Sequence, residues 1–322
     1  MYIQFNKQSR IELAVLLTAG KNQTQCSKIL GISRPNVNLE IQRNKDSDGV
    51  YRGCSAHRRY LERRKISKEK YRKIENDKIL RRYILSKIRR YWSPEQIAGR
   101  GRKEKGLIIS HETIYQYIYT EKKDLIKYLR HGKCKYRRKR GSIARIKQNK
   151  ASKIRKIEER PSVVDERSRV GDWENDTVIG KEKKKRILTF TERKSGFGIA
   201  KKLNIVRAET LHSVEVSVFK KIPKSKRLTL TRDNGSEFGD LDQDLEKKTK
   251  MKVYRAHAYS SHERGTNENW NGLLRQFFPK GMLFDTLKQY EIDRVVNLLN
   301  DRPRKRLGYS TPREIFKCIS SS

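Results

Sequence analysis

Three acidic residues alternate along one predicted strand. The run RVGDWENDTVIG, which begins at Arg169, is β-rich, and its alternation places Asp172, Glu174 and Asp176 on one face. A carboxylate on such a face could take part in acid or metal chemistry. Parity alone therefore leaves three candidate acids on this strand.

Another acid closes a later apolar run. Residues 229–236 read TLTRDNGS, so Asp233 ends a predicted strand and precedes Asn234-Gly235, a pair that lets the backbone turn sharply. The sheet edge where strands end is where α/β proteins form their sites. Asp233 could be a metal ligand, although a solvated turn residue or a helix cap fits its position as well.

A predicted helix from about Thr266 to Phe278 offers the next acid. Glu268 lies about 160° from Trp270 on the open face, because successive helical residues are about 100° apart. Glu263 would project close to the buried stripe if the helix extended that far, so Glu268 is the better-placed acid. The buried stripe should comprise Trp270, Leu273, Leu274 and Phe277.

Converging carboxylates define a particular chemistry. Hard oxygen ligands from separate elements, without a Cys or His cluster of ligand spacing, suit Mg²⁺ or Mn²⁺ rather than zinc. Two such ions about 4 Å apart can activate a water or hydroxyl and stabilise the departing oxygen of a phosphodiester. Taken singly, Asp233 and Glu268 are more typical of a turn acid and a surface acid.

The charge of the chain indicates its partner. Lys and Arg total 78 against 37 Asp and Glu, a net charge of +41 over 322 residues, and nucleic acid is the partner that best balances this excess. No apolar run long enough to span a bilayer and no secretory segment are evident. We expect a soluble cytoplasmic, nucleoid-associated protein with no membrane partner. The four scattered cysteines are expected to be reduced thiols.

The N-terminal region has the pattern of a helical DNA-binding unit. Apolar residues from Ser9 to Asn44 recur at helical spacing, broken at Gly20 and Gly31, which predicts three short helices. Ser9 and Glu12 suggest a capping box for the first of them. The last two match helix-turn-helix logic, although a small helical bundle without groove contact fits the same pattern. Candidates for DNA contact are Arg34, Asn36, Asn38 and Arg43.

A second such unit follows. Ser93-Pro94 and Ser110 resemble helix starts, and Ile114, Tyr115, Ile118 and Tyr119 are expected to be core. Two very basic stretches, 58–90 and 133–160, look like linkers that follow DNA phosphates. They would add affinity with little sequence discrimination.

The composition changes after Pro161. Four short β-rich runs, with a helix near Ala208 to Lys220 between the third and fourth, predict a mixed α/β domain. The predicted domains are a helix-turn-helix domain at 1–50, a basic helical linker at 51–82, a second helix-turn-helix-like domain at 83–132, a basic linker at 133–162, and a catalytic core with C-terminal helices at 163–322.

Several blocks resemble a known family. GDWENDTVIGK, TRDNGSEF, ERGTNENWNGLLRQFFPKG and LNDRPRKRLGYSTPREIF look like signature blocks of the DDE transposases of the insertion-sequence-thirty family. SRPNVNLEIQRN, WSPEQIAGR and SHETIYQYIY resemble its DNA-binding blocks. The resemblance implies an α-helical helix-turn-helix N-terminal region followed by an α/β ribonuclease H-like, integrase-type catalytic domain with a mixed sheet.

The resemblance also assigns roles to residues. It implies a catalytic and metal-binding triad of Asp176, Asp233 and Glu268, in which Asp176 would bridge both Mg²⁺ or Mn²⁺ ions and each of the other two would help to hold one. Beside this site, the residues that could hold the DNA end are Asn269, Asn271 and Arg275.

This chain departs from the family pattern in two places. The interval from Asp233 to Glu268 is 268 − 233 = 35, one residue longer than is usual for the family. His257 and His262 stand where an Asp-Pro pair and a Trp are more usual. His257 could assist proton transfer, but a surface histidine fits equally well.

The activity that the resemblance implies is transposition. Such a protein would bind the terminal inverted repeats of an insertion sequence, cleave at the ends and join the freed 3′-hydroxyls to target DNA, which requires a homodimer or larger synaptic complex. The alternatives are a non-catalytic repressor of the same element and an RNA-binding scaffold. The scaffold would leave the acids without a role.

Overall fold

The computed structural model describes residues 5–69, 72–130, 155–257 and 260–318. They form two compact units, which divide between residues 81 and 82. Cys134 and most of the predicted basic linker at 133–162 lie outside the described residues, whereas Cys26, Cys54 and Cys318 are free thiols. No helix in the described ranges is long and apolar enough to cross a membrane.

The first unit contains the three predicted N-terminal helices and a fourth. They are α1 (Lys7–Thr18), α2 (Gln23–Leu30), α3 (Arg34–Asn44) and α4 (Gly53–Glu69), followed by the single turn α5 (Lys73–Asn76). The first four surround a core formed by Leu13, Cys26, Ile32, Val37, Tyr51 and Ala56. Since Tyr51 and Ala56 belong to this core, the basic segment after residue 50 begins inside the unit.

The predicted cap of α1 was wrong. Asn6, not Ser9, is the N-cap: its side chain accepts from the Ser9 backbone N–H, and the Ser9 hydroxyl accepts from the Asn6 N–H, each at 2.9 Å. The Asn6 amide thus satisfies the Ser9 N–H, and the cap lies one turn earlier than the apolar spacing suggested.

One buried ion pair joins α1 to α3. The Arg10 guanidinium donates to both carboxylate oxygens of Glu40, at 2.7 and 3.2 Å, and is 2% exposed. Tyr51 donates to the same carboxylate at 3.3 Å. The pair orients α3 with Arg34 and Arg43 exposed.

The second unit opens with another helical module. Helix α6 (Lys78–Ile88) continues into it from the first unit, and α7 (Pro94–Lys105) and α8 (His111–Thr120) follow. Ser93 and Ser110 cap α7 and α8, as predicted. Ile114 and Ile118 are buried, but Tyr119 is 37% exposed, so its assignment to the core was wrong.

A five-stranded mixed sheet forms the rest of the second unit. After the short helix α9 (Ser162–Glu166) come β1 (Asp172–Ile179), β2 (Arg186–Glu192), β3 (Gly198–Leu203), β4 (Thr229–Arg232) and β5 (Lys252–Arg255). The order is β3-β2-β1-β4-β5, in which β1, β2 and β3 pair antiparallel whereas β1, β4 and β5 pair parallel. The predicted mixed α/β domain is present, although β5 was not predicted.

Helices cover both faces of this sheet. They are α10 (Ala208–Lys220), at the predicted position, α11 (Asp242–Thr249), α12 (Gly265–Leu274), α13 (Gln289–Asn300) and α14 (Pro312–Cys318). Trp173 and Phe190 pack with α10 on one face, whereas Val178 and Ile187 pack with α12 and α13 on the other. This alternation places Glu174 and Asp176 on the α12 face.

The C-terminal block joins the helical module to the sheet. Phe316 of α14 stacks on Phe197, with ring centroids 4.5 Å apart. Arg100 of α7 donates to both carboxylate oxygens of Glu314, at 2.6 and 2.8 Å. Position 99 of α7 lies against the Tyr309 ring, with room only for glycine. These contacts hold α7 and the sheet domain in one unit.

A close contact at Gly198 gives a stability prediction. A Cβ on Gly198 would lie 2.1 to 2.3 Å from the Trp270 indole, so Gly198→Ala should lower the free energy of unfolding by about 1–3 kcal/mol through overpacking. Gly265→Ala is the matched control, because nothing lies within 4 Å of its added Cβ. Thermal unfolding should show a lower Tm for Gly198→Ala alone, and equal Tm values would contradict the packing argument.

Candidate active site

Asp176 lies inside β1 and faces α12. Its Oδ1 accepts from the Thr177 backbone N–H at 2.8 Å, and its Oδ2 accepts from the Asn271 amide at 3.0 Å. The Asn271 amide oxygen in turn accepts from the Thr189 hydroxyl at 2.9 Å. Asp176 is thus fixed by the sheet and helix together, and its side chain remains 30% exposed.

Asp233 reaches the same place from the end of β4. Its Oδ1 accepts from the Gly235 N–H at 3.1 Å, which closes the turn that Asn234-Gly235 predicted. The parallel pairing of β1 with β4 brings the end of β4 beside β1. The Asp233 side chain is 31% exposed, so solvent reaches both acids.

Arg264 bridges the two carboxylates. Its Nη2 donates to Asp233 Oδ2 at 3.2 Å, its Nη1 lies 3.7 Å from Asp176 Oδ1, and Nη1 also donates to the Asn175 carbonyl at 3.2 Å. The pair of acids is therefore already arranged around a cationic group.

The surroundings of Asp176 disfavour its ionised form. Burial raises the pKa of the Asp176 carboxyl above its ordinary value, and the negative charges of Asp233 and Glu237 raise it further, whereas the Arg264 guanidinium opposes the shift. Glu237 lies nearby in the turn after Asp233, where it pairs with Arg186 at 2.6 Å. A cation among these groups favours the ionised form.

The other two acids of β1 have structural partners. Glu174 is fully buried, pairs with Arg193 at 2.5 Å and accepts from the Asn267 backbone N–H at 2.8 Å. Asp172 accepts from the Thr229 hydroxyl at 2.7 Å and pairs with Arg169. Of the three acids that alternate along β1, Asp176 is the one beside Asp233.

Glu268 is exposed on α12, one turn before Asn271. The structure brings Asp176 and Asp233 together and leaves Glu268 on the open face of the helix. Within the ranges described, no group of three His, Cys, Asp or Glu side chains is placed to hold a metal ion.

Glu263, the alternative to Glu268 as the third acid, contacts His257. Its carboxylate accepts from the His257 backbone N–H at 2.8 Å and contacts His257 Nδ1 at 2.8 Å. Glu158 contacts Nε2 of the same ring at 2.6 Å. The hydrogen bond and charge of Glu263, with that of Glu158, raise the pKa of His257. Both ring nitrogens of His257 are therefore occupied by acids other than Asp176 and Asp233.

The predicted DNA-contact residues have different surroundings. Asn269 is exposed beside Glu268, whereas the Asn271 amide is bound to Asp176. Arg275 donates to the Ile179 carbonyl at 2.8 Å. In α3, Arg34 and Arg43 are exposed, and Asn38 accepts from Gln23 at 3.5 Å. Asn36 is partly buried on the same helix.

Sequence reasoning missed Arg264 and Glu237. Arg264 lies within the quoted block ERGTNENWNGLLRQFFPKG, four residues before Glu268, and Glu237 lies in TRDNGSEF. Both residues therefore stand in blocks that the family resemblance had already singled out, and they could have been considered as site residues. Their roles depend on contacts that join distant segments, since Arg264 donates to the carbonyl of Asn175, 89 residues away.

A buried ionic network supports the end of β4. Arg232, 1% exposed, pairs with Glu215 of α10 at 3.1 Å and with Asp242 of α11. Asn175 donates to the same Glu215 at 2.5 Å. Because buried charges need partners, this network fixes the segment that carries Asp233.

Comparison with known proteins identifies the family. The chain is 36% identical to the transposase for insertion sequence element IS4351 of Bacteroides fragilis, over 97% of this chain and 95% of that protein. It is 33% identical to transposase InsI for IS30A of Escherichia coli K12, over 96% and 82%. It is 28% identical to the transposase for IS1086 of Cupriavidus metallidurans, over 98% and 94%. No family model matches.

These relatives are transposases of insertion sequences, and the similarity runs along nearly the whole chain. The chain therefore belongs to the insertion-sequence-thirty family of transposases, as its sequence blocks predicted.

Proposed function

We propose that this transposase binds the terminal inverted repeats of its insertion sequence, cleaves the DNA at their ends and joins the freed 3′-hydroxyls to target DNA. The observation that carries the proposal is the convergence of Asp176 and Asp233 on one cation at the junction of β1 and β4. The sheet order and its covering helices suit a ribonuclease H-like core. The N-terminal helices and the α7–α8 module would act as helix-turn-helix DNA-binding units.

The acids fit divalent metal ions. Asp176 and Asp233 provide hard oxygen ligands around a place where a positive group, Arg264, already lies. Glu268 would complete the set from α12. Mg²⁺ or Mn²⁺ bound there, as two ions, would supply charge stabilisation at the phosphorus and lower the pKa of the attacking water or hydroxyl.

The protein's own residues position the reacting groups. In cleavage, a water oxygen attacks phosphorus in line and the bond to the 3′-oxygen breaks, which leaves a 3′-hydroxyl. In joining, that hydroxyl attacks a target phosphodiester in the same way. Asn271 and Thr189 hold Asp176 in place throughout, because their hydrogen bonds do not depend on the DNA. Two ends must meet, so a homodimer or larger synaptic complex is required.

Arg264 should compete with the metal ions. Arg264→Gln removes the cation between Asp176 and Asp233, so a metal ion no longer has to displace it. Mn²⁺ should therefore bind the DNA-free chain about tenfold more tightly, a change in binding free energy of about 1.4 kcal/mol. Electron paramagnetic resonance of free Mn²⁺ measures this directly. Arg294→Gln, an exposed arginine of α13, is the control for lost charge. Weaker binding by Arg264→Gln would show instead that Arg264 supports the metal.

Strand joining separates this proposal from the repressor alternative. A labelled duplex that ends in the terminal repeat with a free 3′-hydroxyl is mixed with the chain, Mg²⁺ and plasmid DNA. The proposal predicts covalently joined label, which a 3′-deoxy end abolishes. A repressor would bind the duplex and give no joined product.

A further inference from the structure

A cavity lies beside α12. It has a volume of about 240 Å³, smaller than the roughly 300–1,000 Å³ of typical small-molecule sites. Three arginines line it, from the end of α9 and from the segment before α14. Its lining includes Arg167, Arg304, Arg306, Thr191, Thr266 and Asn269. We call it the arginine cavity.

The arginine cavity has a positive charge without a matching acid. None of its three arginines forms a salt bridge with a carboxylate in the described parts of the chain, and no acid is among its lining residues. Among the residues that the structure describes, Arg304 and Arg306 donate to backbone carbonyls alone, those of Leu299 at 3.2 Å and Lys194 at 2.6 Å. Three guanidinium groups that share a cavity repel one another, so the cavity favours an anion.

The surroundings strengthen this preference. Burial, together with the charges of Arg306 and Arg130, lowers the pKa of Arg304 to about 10. Glu192 is the acid that acts on Arg306, but its carboxylate already accepts from the Lys194, Ser195 and Gly171 N–H groups. One acid therefore acts on a cavity lined by three guanidinium groups, and a net positive charge remains.

Polar groups in the wall also lack partners. The hydroxyls of Thr191 and Thr266 are buried, in residues less than a tenth exposed, and have no hydrogen-bond partner among the described residues. A buried hydroxyl without a partner costs free energy unless a ligand supplies one. At Gly196, a Cβ would lie 2.7 Å from Arg306 Nη2, so glycine leaves room for this guanidinium.

The arginine cavity and the acid pair flank the same helix face. Around α12, Glu268 lies about 60° from Asn271, which holds Asp176, and about 100° in the other direction from Asn269, which lines the cavity. A DNA strand that crosses Glu268 would therefore meet the acid pair on one side and the cavity on the other.

We propose that the arginine cavity binds a backbone phosphodiester of the DNA strand that crosses Glu268, an inference that rests on the function proposed above. Arginine pairs with phosphate through two parallel N–H groups, which makes it well suited to this role. The cavity would fix the strand beside the acids without reading its sequence.

Salt-dependent binding of a terminal-repeat duplex tests this site. Arg306→Gln and Arg304→Gln should each weaken the equilibrium affinity about 3- to 10-fold, and the slope of log K against log salt should become shallower by about 0.9 for one lost phosphate contact. Arg294→Gln loses the same charge outside the cavity and should match the native chain. Fluorescence anisotropy gives both quantities, and Arg306, which is exposed, should be replaced without loss of folding.

Two results would count against the site. If the native chain binds the duplex and both cavity variants behave as Arg294→Gln does, the cavity does not bind phosphate, and the proposed function stands. If the native chain fails to bind the duplex at all, the proposed function fails together with the site. Ethylation of single phosphates should confirm the location. Modifying one particular phosphate should weaken binding of the duplex by the native chain and should not weaken binding by Arg306→Gln any further.

Discussion

Glu268→Gln should abolish DNA strand cleavage, by on the order of 10³-fold or more, and leave binding of the terminal repeats unchanged. The amide keeps the size of the side chain but loses the negative charge that would hold a metal ion. Glu268 is exposed and no described contact in the fold depends on it, so its loss should not lower Tm. Gel analysis of end-labelled DNA with Mg²⁺ measures cleavage, and a mobility shift measures binding.

Glu263→Gln is the matched control. It changes an acid five residues earlier in the same segment, but that acid holds the His257 backbone and ring rather than the site. Cleavage should persist in this variant. If Glu263→Gln eliminates cleavage and Glu268→Gln does not, the third acid has been assigned to the wrong residue.

Asp176→Asn and Glu174→Gln should have opposite effects on activity and stability. Glu174 is fully buried against Arg193, and breaking such a pair costs on the order of 3 kcal/mol, so Glu174→Gln should lower Tm by roughly 6 °C or more. Its folded fraction should still cleave DNA. Asp176→Asn should lose cleavage by on the order of 10³-fold.

The stability of Asp176→Asn should not fall. Asp176 is partly exposed, and Arg264 keeps its bonds to Asp233 and to the Asn175 carbonyl when the Asp176 charge is removed, so no buried charge is left without a partner. Calorimetry and the cleavage assay together test the pair. Equal losses of Tm in both variants, or cleavage by Asp176→Asn, would mean that Asp176 is a structural acid like Glu174.

Local patterns predicted much of the fold. Helix α10 lies at Ala208–Lys220 as expected, because its ends and apolar spacing are encoded within the segment. The four β-rich runs became β1 to β4 for the same reason. Strand β5, Lys252–Arg255, was missed because its two apolar residues stand between cations at the end of a lysine-rich segment, which hides the β-rich character that the equally short β4 shows. The cap of α1 was misassigned because both Asn6 and Ser9 are suitable cap residues.

The site was harder to predict than the fold. Turn chemistry placed Asp233 at the end of β4, and alternation placed Asp176 on a face with two other acids. Alternation cannot distinguish Asp176 from Glu174, because the difference lies in their partners, Arg264 and Arg193. Those arginines come from distant segments, so only tertiary structure brings them to the strand.

The most direct test of the account is metal-dependent cleavage by the native chain. DNA that carries the terminal repeats of the element is incubated with the protein in Mg²⁺ or in EDTA, and strand cutting at the ends and binding are measured in the same samples. We predict binding in both, and cutting that exposes 3′-hydroxyls in Mg²⁺ alone. Binding without cutting in either Mg²⁺ or Mn²⁺, or cutting that persists in EDTA, would contradict a metal-dependent transposase site at Asp176 and Asp233.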